Sequence, residues 1–281
     1  TMTARCEKVH EGIPLASGCK RSEMMVEEVF PGTAFLVHGL FSEEECEHYV
    51  AESEKLGYRD IGSLYQKTYR TNDRLLLHSE ELTQEAYRRL LPHLPRTMLV
   101  ESGTSRSYWQ TPDDAEEEGD DCYEKWEATG MNPRWRFCRY GEGGFFRPHR
   151  DACYTESADS RSMLTVNIYL NDSYEGGSTN FLAKRYGKAE DREVTFRVQP
   201  RTGSALVFVH WLLHEGQEAM GGQKYLCRSD VMYQRCAPPA DPRQAEAEAL
   251  LAQAEQLEAQ GKCDEAVVLY KRAYRLCPHL D

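Results

Sequence analysis

The sequence predicts a mainly β chain with flanking helices, an α+β fold in which strands close a barrel and a helical hairpin follows. Three observations carry this. Residues 161–170 alternate strictly, with Leu164, Val166, Ile168 and Leu170 on one face and Met163, Thr165, Asn167 and Tyr169 on the other. The apolar run at residues 204–210 fits a buried strand, and residues 224–235 follow a glycine turn as another strand. A mixed polar face turned inward suits a barrel that holds a polar ligand.

Along the chain, residues 1–29 form an N-terminal segment with an early strand or tail. Ala34 to His38 is apolar and fits a strand. Ser42 followed by Glu45 has the spacing of a capping box and opens a helix through about Leu56. Next comes a dense polar cluster, Tyr69-Arg70-Thr71-Asn72-Asp73-Arg74, flanked by Tyr65 and by Leu75 to Leu77. Arg70, Asn72 and Arg74 are candidates for substrate contact, with a solvated edge as the alternative. Residues 82–91 predict a second helix that ends near Pro92. The acidic run at 113–121 reads as a solvated loop, with attraction of a basic substrate as the weaker use. Residues 135–140 predict a strand, and a glycine-rich turn leads into a second strand ending in His149.

His149 and Asp151 stand two apart, which in extended chain places both side chains on one face. His214, just past the buried strand, can close the third corner. Two histidines and one carboxylate leave three sites of an octahedral ion open on one side, the donor set of non-heme Fe(II) oxygenases. A lone His-x-Asp is common by chance, so the surroundings decide. On the strand at 224–235, Lys224, Leu226, Arg228 and Asp230 share one face. Two cations on a face that would otherwise be core imply a buried anion. A dicarboxylate held on the ion by one end would present its other carboxylate to Lys224 or Arg228, and the Tyr140 hydroxyl could join them. Arg228 paired with Asp230 or with solvent is the blander alternative.

At this point the residues resemble a known family. Arg139-Tyr140, Pro148-His149-Arg150-Asp151, Leu164-Thr165, Tyr169-Leu170-Asn171, Glu175-Gly176-Gly177, Pro200 to Gly203, His214-Glu215-Gly216 and Lys224-Tyr225 look like the Fe(II)/2-oxoglutarate-dependent dioxygenases, in their prolyl 4-hydroxylase-like branch. The resemblance implies a double-stranded β-helix, or jelly-roll barrel, over residues 30–237. It implies His149, Asp151 and His214 as both the metal ligands and the catalytic centre. It places Lys224, Arg228, Tyr140, Thr165 and Tyr169 around the cosubstrate, with the distal carboxylate on Lys224 or Arg228. It brings Fe(II), 2-oxoglutarate and O2, with ascorbate as an accessory. The reaction it implies is hydroxylation of an unactivated C–H bond with succinate and CO2 as coproducts, and the carboxylate at Asp151 favours hydroxylation over halogenation. The expected acceptor is a prolyl or other residue of a protein or peptide. A free amino acid or secondary metabolite is the alternative, and a non-catalytic scaffold or a cupin-like enzyme that uses no oxoglutarate are the more distant ones.

Residues 243–281 carry a separate signal. Leu250, Ala254, Leu257, Gly261, Ala266, Tyr270, Ala273 and Pro278 match a single tetratricopeptide-like unit. One such unit cannot bury its own apolar face, so it must pack on the barrel, on a protein partner or on further repeats.

Composition bounds the rest. The chain has 281 residues, 40% hydrophobic and 28% charged, enough for a catalytic domain with a small appendage. No apolar run approaches the roughly 18 residues that span a bilayer, so no membrane partner is expected. A net charge of −12 argues against nucleic acid as a partner. Ten cysteines without a framework spacing fit reduced thiols in an intracellular compartment, cytoplasmic or nuclear. The leading Thr1-Met2 leaves open a longer native chain.

Overall fold

A computed structural model describes residues 8–19, 23–62, 68–101, 106–109, 123–183, 193–236, 242–259 and 263–277. The chain begins with β1 (Val9–Glu11), β2 (Met25–Phe30) and β3 (Ala34–His38), then α1 (Glu43–Leu56), β4 (Arg59–Asp60), β5 (Asp73–His78) and α2 (Glu80–Leu90). Three strands lead to the barrel: β6 (Thr97–Glu101), β7 (Ser107–Tyr108) and β8 (Tyr123–Met131). Next come β9 (Arg134–Tyr140), β10 (Gly144–His149), β11 (Thr155–Ser157), β12 (Ser160–Tyr169), β13 (Glu175–Gly176) and β14 (Thr179–Leu182). Strands β15 (Val194–Val198), β16 (Ala205–Val209), β17 (His214–Met220) and β18 (Lys224–Arg235) complete it, and α3 (Pro242–Ala259) and α4 (Cys263–Leu276) follow. Tyr65, the acidic run at 113–121, Gly261 and Pro278 lie outside the described residues.

The barrel is a jelly roll. In the larger sheet β9, β18, β12 and β16 lie side by side, extended by β5 and β1 at one edge and by β3 and β2 at the other. The smaller sheet runs β10-β17-β14-β15. Strand β12 explains why the two layers separate cleanly. Its outer residues Leu164, Val166 and Ile168 pack with Cys46 and Tyr49 of α1 and with Leu82, Ala86 and Leu90 of α2. Its inner Tyr169 packs with Phe181, Leu206, Phe208 and Leu226 between the sheets. Each large side chain so buried contributes about 1.5–3 kcal/mol.

The helices are capped as expected, with one difference. Ser42 and Glu45 form the reciprocal capping box of α1, with Ser42 N–H donating to Glu45 Oε2 at 2.8 Å. Helix α2 starts at Glu80, ahead of the apolar pattern at Leu82, because Ser79 accepts from Leu82 N–H at 3.3 Å. Glu80 and Glu81 then sit where the helix dipole favours acids. The helices are tied together by Arg89, which donates to Glu45 at 2.6 Å, to Glu85 at 2.7 Å and to the Leu40 carbonyl at 2.7 Å. Its side chain is 10% exposed and that of Glu45 6%. Removing one partner leaves buried charge behind, so Arg89→Leu is expected to destabilise by about 3 kcal/mol. A lower urea midpoint with unchanged slope checks this.

The turn into β16 depends on Gly203. Its φ is +76°, and a Cβ there would lie 1.9 Å from the Phe41 carbonyl oxygen. At the C-terminus α3 and α4 meet through Ala247, Leu250 and Ala273, with Leu251 and Leu269 beside them. Among the described residues no helix is long and apolar enough to cross a membrane.

Candidate active site

The two histidines face each other because their strands pair. His149 ends β10 and His214 begins β17, opposite one another in the antiparallel register. Asp151 does not share the strand with His149, since β10 stops at His149. Its backbone N–H instead donates to the His210 carbonyl at 3.1 Å, which brings the carboxylate across toward the larger sheet. His149 Nε2 is 3.7 Å from Asp151 Oδ1, and His214 Nε2 is 3.7 Å from Asp151 Oδ2. One donor atom from each of the three residues lies within 4.8 Å of the other two.

Both imidazoles are oriented from behind. His149 Nδ1 donates to the Arg147 carbonyl at 2.8 Å and His214 Nδ1 to that of Leu212 at 2.9 Å. Each Nδ1 therefore carries the proton, and each Nε2 offers its lone pair to the common centre. Phe146 stacks on His149 with ring centroids 3.5 Å apart, and Phe208 meets His214 edge-on at 4.7 Å. Burial, with His214 alongside, lowers the His149 pKa to about 3, and burial lowers His214 as well. Neither then needs to lose a proton at neutral pH. Mn(II) affinity, measured by calorimetry, is expected to change less than about threefold between pH 6 and 8. Two histidines at the ordinary value near 6.5 would cost roughly tenfold over the same range.

Asp151 is supported on both oxygens. Burial alone would raise its pKa, but Arg228, the two histidines and Thr165 hold the carboxyl well below the usual range. Arg228 Nη1 lies 2.7 Å from Oδ1, and Thr165 Oγ1 donates to Oδ2 at 2.7 Å. Thr165 has one proton, so it must accept from His210 Nδ1 at 2.9 Å; His210 Nε2 then accepts from Ser162 Oγ at 2.9 Å. Each carboxylate oxygen retains a lone pair for a metal.

A cavity of about 260 Å³ runs from this triad to Lys224. Lys224 is 2% exposed, and its Nζ donates to the Gly177 carbonyl at 2.6 Å beneath the rings of Tyr140 and Tyr169, 5.2 and 5.9 Å away. Burial lowers its pKa to about 8. Gly177 has a φ of +62°, and a Cβ there would lie 2.6 Å from the Tyr174 ring, so glycine alone places this acceptor.

The other expected residues divide. Tyr140, Arg228, Arg70 and Arg74 line the cavity with Lys224 and the triad. Arg70 sits 4.2 Å over the Phe146 ring and donates to Asn72 Oδ1. Asn72, Thr165 and Tyr169 are not among the lining residues. Asn72 braces Arg70, Thr165 braces Asp151, and the Tyr169 hydroxyl is 2.8 Å from Thr179 Oγ1. Arg228 is engaged by Asp151 and by Asp230 at 3.2 Å, as the blander alternative allowed. Sequence reasoning missed Arg136, Arg150 and Asn167, which line the cavity, and His210 behind Asp151. Arg136 shares the strand parity of Tyr140, a signal that could have found it.

With this geometry in view, residues 135–229 match the model of the 2OG-Fe(II) oxygenase superfamily. His149, Asp151 and His214 all fall within that match. Oxygenases of this superfamily use Fe(II), 2-oxoglutarate and O2. The fit with Fe(II) rests on the donors themselves, two neutral imidazoles and one carboxylate converging on one point. Among solved structures the chain is similar to the viral collagen prolyl hydroxylase of Paramecium Bursaria Chlorella virus-1, at 16% identity over 72% of this chain and 96% of that one, TM-score 0.42. It is similar to a Pseudomonas putida prolyl-4-hydroxylase at 16% identity, covering 73% and 94%, TM-score 0.43. A Trichoplax adhaerens prolyl hydroxylase, solved with a hypoxia inducible factor peptide fragment, gives 14% identity, 71% and 83%, and TM-score 0.45. No curated protein matches the chain in sequence.

Proposed function

We propose that His149, Asp151 and His214 hold Fe(II), that Lys224 receives the distal carboxylate of 2-oxoglutarate, and that an unactivated C–H bond of the acceptor is hydroxylated. The observation that carries the proposal is one cavity with two Nε2 lone pairs and a carboxylate at one part and a buried lysine at another. Bound together, Fe(II), 2-oxoglutarate and O2 supply oxidative decarboxylation to succinate and CO2, coupled to transfer of one oxygen atom to the acceptor.

The residues have distinct tasks. Lys224 is the better cation for the distal carboxylate because its only hydrogen bond to the described residues is to Gly177. Arg228 already meets Asp151 at 2.7 Å and Asp230 at 3.2 Å. Tyr140 lines the same cavity within 5.2 Å of Lys224, near enough to share that carboxylate. The Ser162–His210–Thr165 chain holds Asp151 in one orientation. Phe146 and Phe208 shield the histidines from water.

Residues 30–237 act as the catalytic domain in this proposal and 243–281 as a hairpin suited to a protein partner. A reducing intracellular compartment, with ascorbate as accessory reductant, would keep the iron ferrous. For the acceptor, a prolyl or other residue of a protein or peptide is one reading, and the hairpin suits it. The cavity favours a second, a small anionic molecule, since arginines crowd a space of about 260 Å³ that the cosubstrate must share. The test incubates a cell extract with Fe(II), 2-oxoglutarate and either wild-type enzyme or Asp151→Ala. Products that gain one oxygen only with the wild type are expected; if they match between the two enzymes, the proposal fails.

A further inference from the structure

We propose that the acceptor carries an oxyanion, a carboxylate or a phosphoryl group, and that Arg136, Arg228 and Asn167 hold it beside the metal site. This deepens the function proposed above and rests on it. Arg136 on β9, Arg228 on β18 and Asn167 on β12 form one cross-strand row, with Arg228 in register with both neighbours. All three line the cavity. Like charges directly opposite on adjacent strands repel, so the row needs anions beside it. The protein supplies Asp230, 1% exposed, at 3.5 Å from Arg136 Nη1 and 3.2 Å from Arg228 Nη2. The other acid within reach of Arg228 is Asp151, the carboxylate that a divalent ion would claim. One remaining carboxylate between two guanidinium groups leaves the row positive.

Asn167 points to a ligand independently. Its residue is 9% exposed and lines the cavity, and its amide makes no hydrogen bond to the described residues. Its amide atoms are not fully enclosed, so they open onto the cavity where a ligand can reach them. Here a bound oxyanion would take its N–H donors beside the two guanidinium groups, a geometry that guanidinium matches in two-point contacts.

The surroundings reinforce this. Arg70, Arg74 and Arg150 line the same cavity, whereas its lining acids are Asp151 and Glu215, and Glu215 already accepts from Asn180 Nδ2 at 2.9 Å. In a chain of net charge −12 this is a local concentration of positive field that draws anions. Oxoglutarate does not account for it. Lys224 pairs with Tyr140, and four residues along β18, roughly 13 Å of strand, separate it from Arg228. There is room for a second anion.

The test uses the full chain loaded with Mn(II) and saturating 2-oxoglutarate. It reads the paramagnetic relaxation of phosphorus in inorganic phosphate and of carbon in labelled acetate, both near the ion by construction of the site. Saturable enhancement of at least one probe is expected, weakened on the order of tenfold in Arg136→Gln and several-fold in Asn167→Ala, while 2-oxoglutarate affinity holds within about twofold. Phosphate alone assigns a phosphoryl acceptor, acetate alone a carboxylate. If Mn(II) and 2-oxoglutarate bind but neither probe saturates, or if both variants leave the enhancement unchanged, the oxyanion subsite is overturned and the oxygenase reading stands. Loss of 2-oxoglutarate binding in Arg136→Gln would reassign the row to the cosubstrate and also overturn it. If the wild type binds no Mn(II), both fall.

Discussion

Asp151→Ala is expected to reduce succinate formation by on the order of a thousandfold or more. Changes to residues that only support metal ligands cost 10–100-fold in metal affinity or activity, and this change removes one of the proposed ligands outright. It also strips the partner from Arg228 Nη1 at 2.7 Å and from Thr165 at 2.7 Å, leaving a guanidinium group facing the two histidines. Mn(II) affinity should fall in parallel. Circular dichroism should remain that of the wild type, because Asp151 lies beyond the end of β10 and carries none of its ladder. Undiminished succinate release in a folded variant would remove the metal from this place in the barrel.

The second large effect is expected at Lys224. Lys224→Met keeps the length and apolar stem but loses the charge, and should raise the KM for 2-oxoglutarate roughly 100-fold or more, within the 2–5 kcal/mol typical of losing one partner of a buried charge pair. The pH dependence gives a separate signature. Burial lowers Lys224 to about 8, so below that pH it is charged and able to meet a carboxylate. Above it the free enzyme holds a neutral amine, and binding must first take up a proton. The KM should therefore be flat between pH 6.5 and 7.5 and climb by up to tenfold per unit above about pH 8. In Lys224→Met the climb should vanish. Were Arg228 the true counter-ion, the wild-type KM would stay flat past pH 9, since guanidinium does not titrate there.

Much of this was legible in the sequence, because the informative signals were local. The alternation at 161–170, the capping box at Ser42 and the strand at 224–235 depend on spacing along the chain, and the elements fall there. The three residues whose donor atoms converge were recognisable because chemistry restricts which side chains can form such a set. What escaped depends on contacts across strands. Nothing local says that Arg136 stands opposite Arg228, that His210 reaches Asp151 through Thr165, or that Arg228 is drawn to two carboxylates. Thr165 was expected against the cosubstrate, but its single hydroxyl proton is given to Asp151. The start of α2 escaped for a simpler reason: the apolar stripe begins later than the cap.

The two histidines belong to the smaller sheet, whereas the hydrogen-bond relay that aims Asp151 is anchored in the larger one. An ion gripped by all three would act as a rivet between the layers. Because such an ion stabilises only the folded form, resistance to heat should rise with occupancy, and damage to the relay would loosen the joint as well as slow the chemistry.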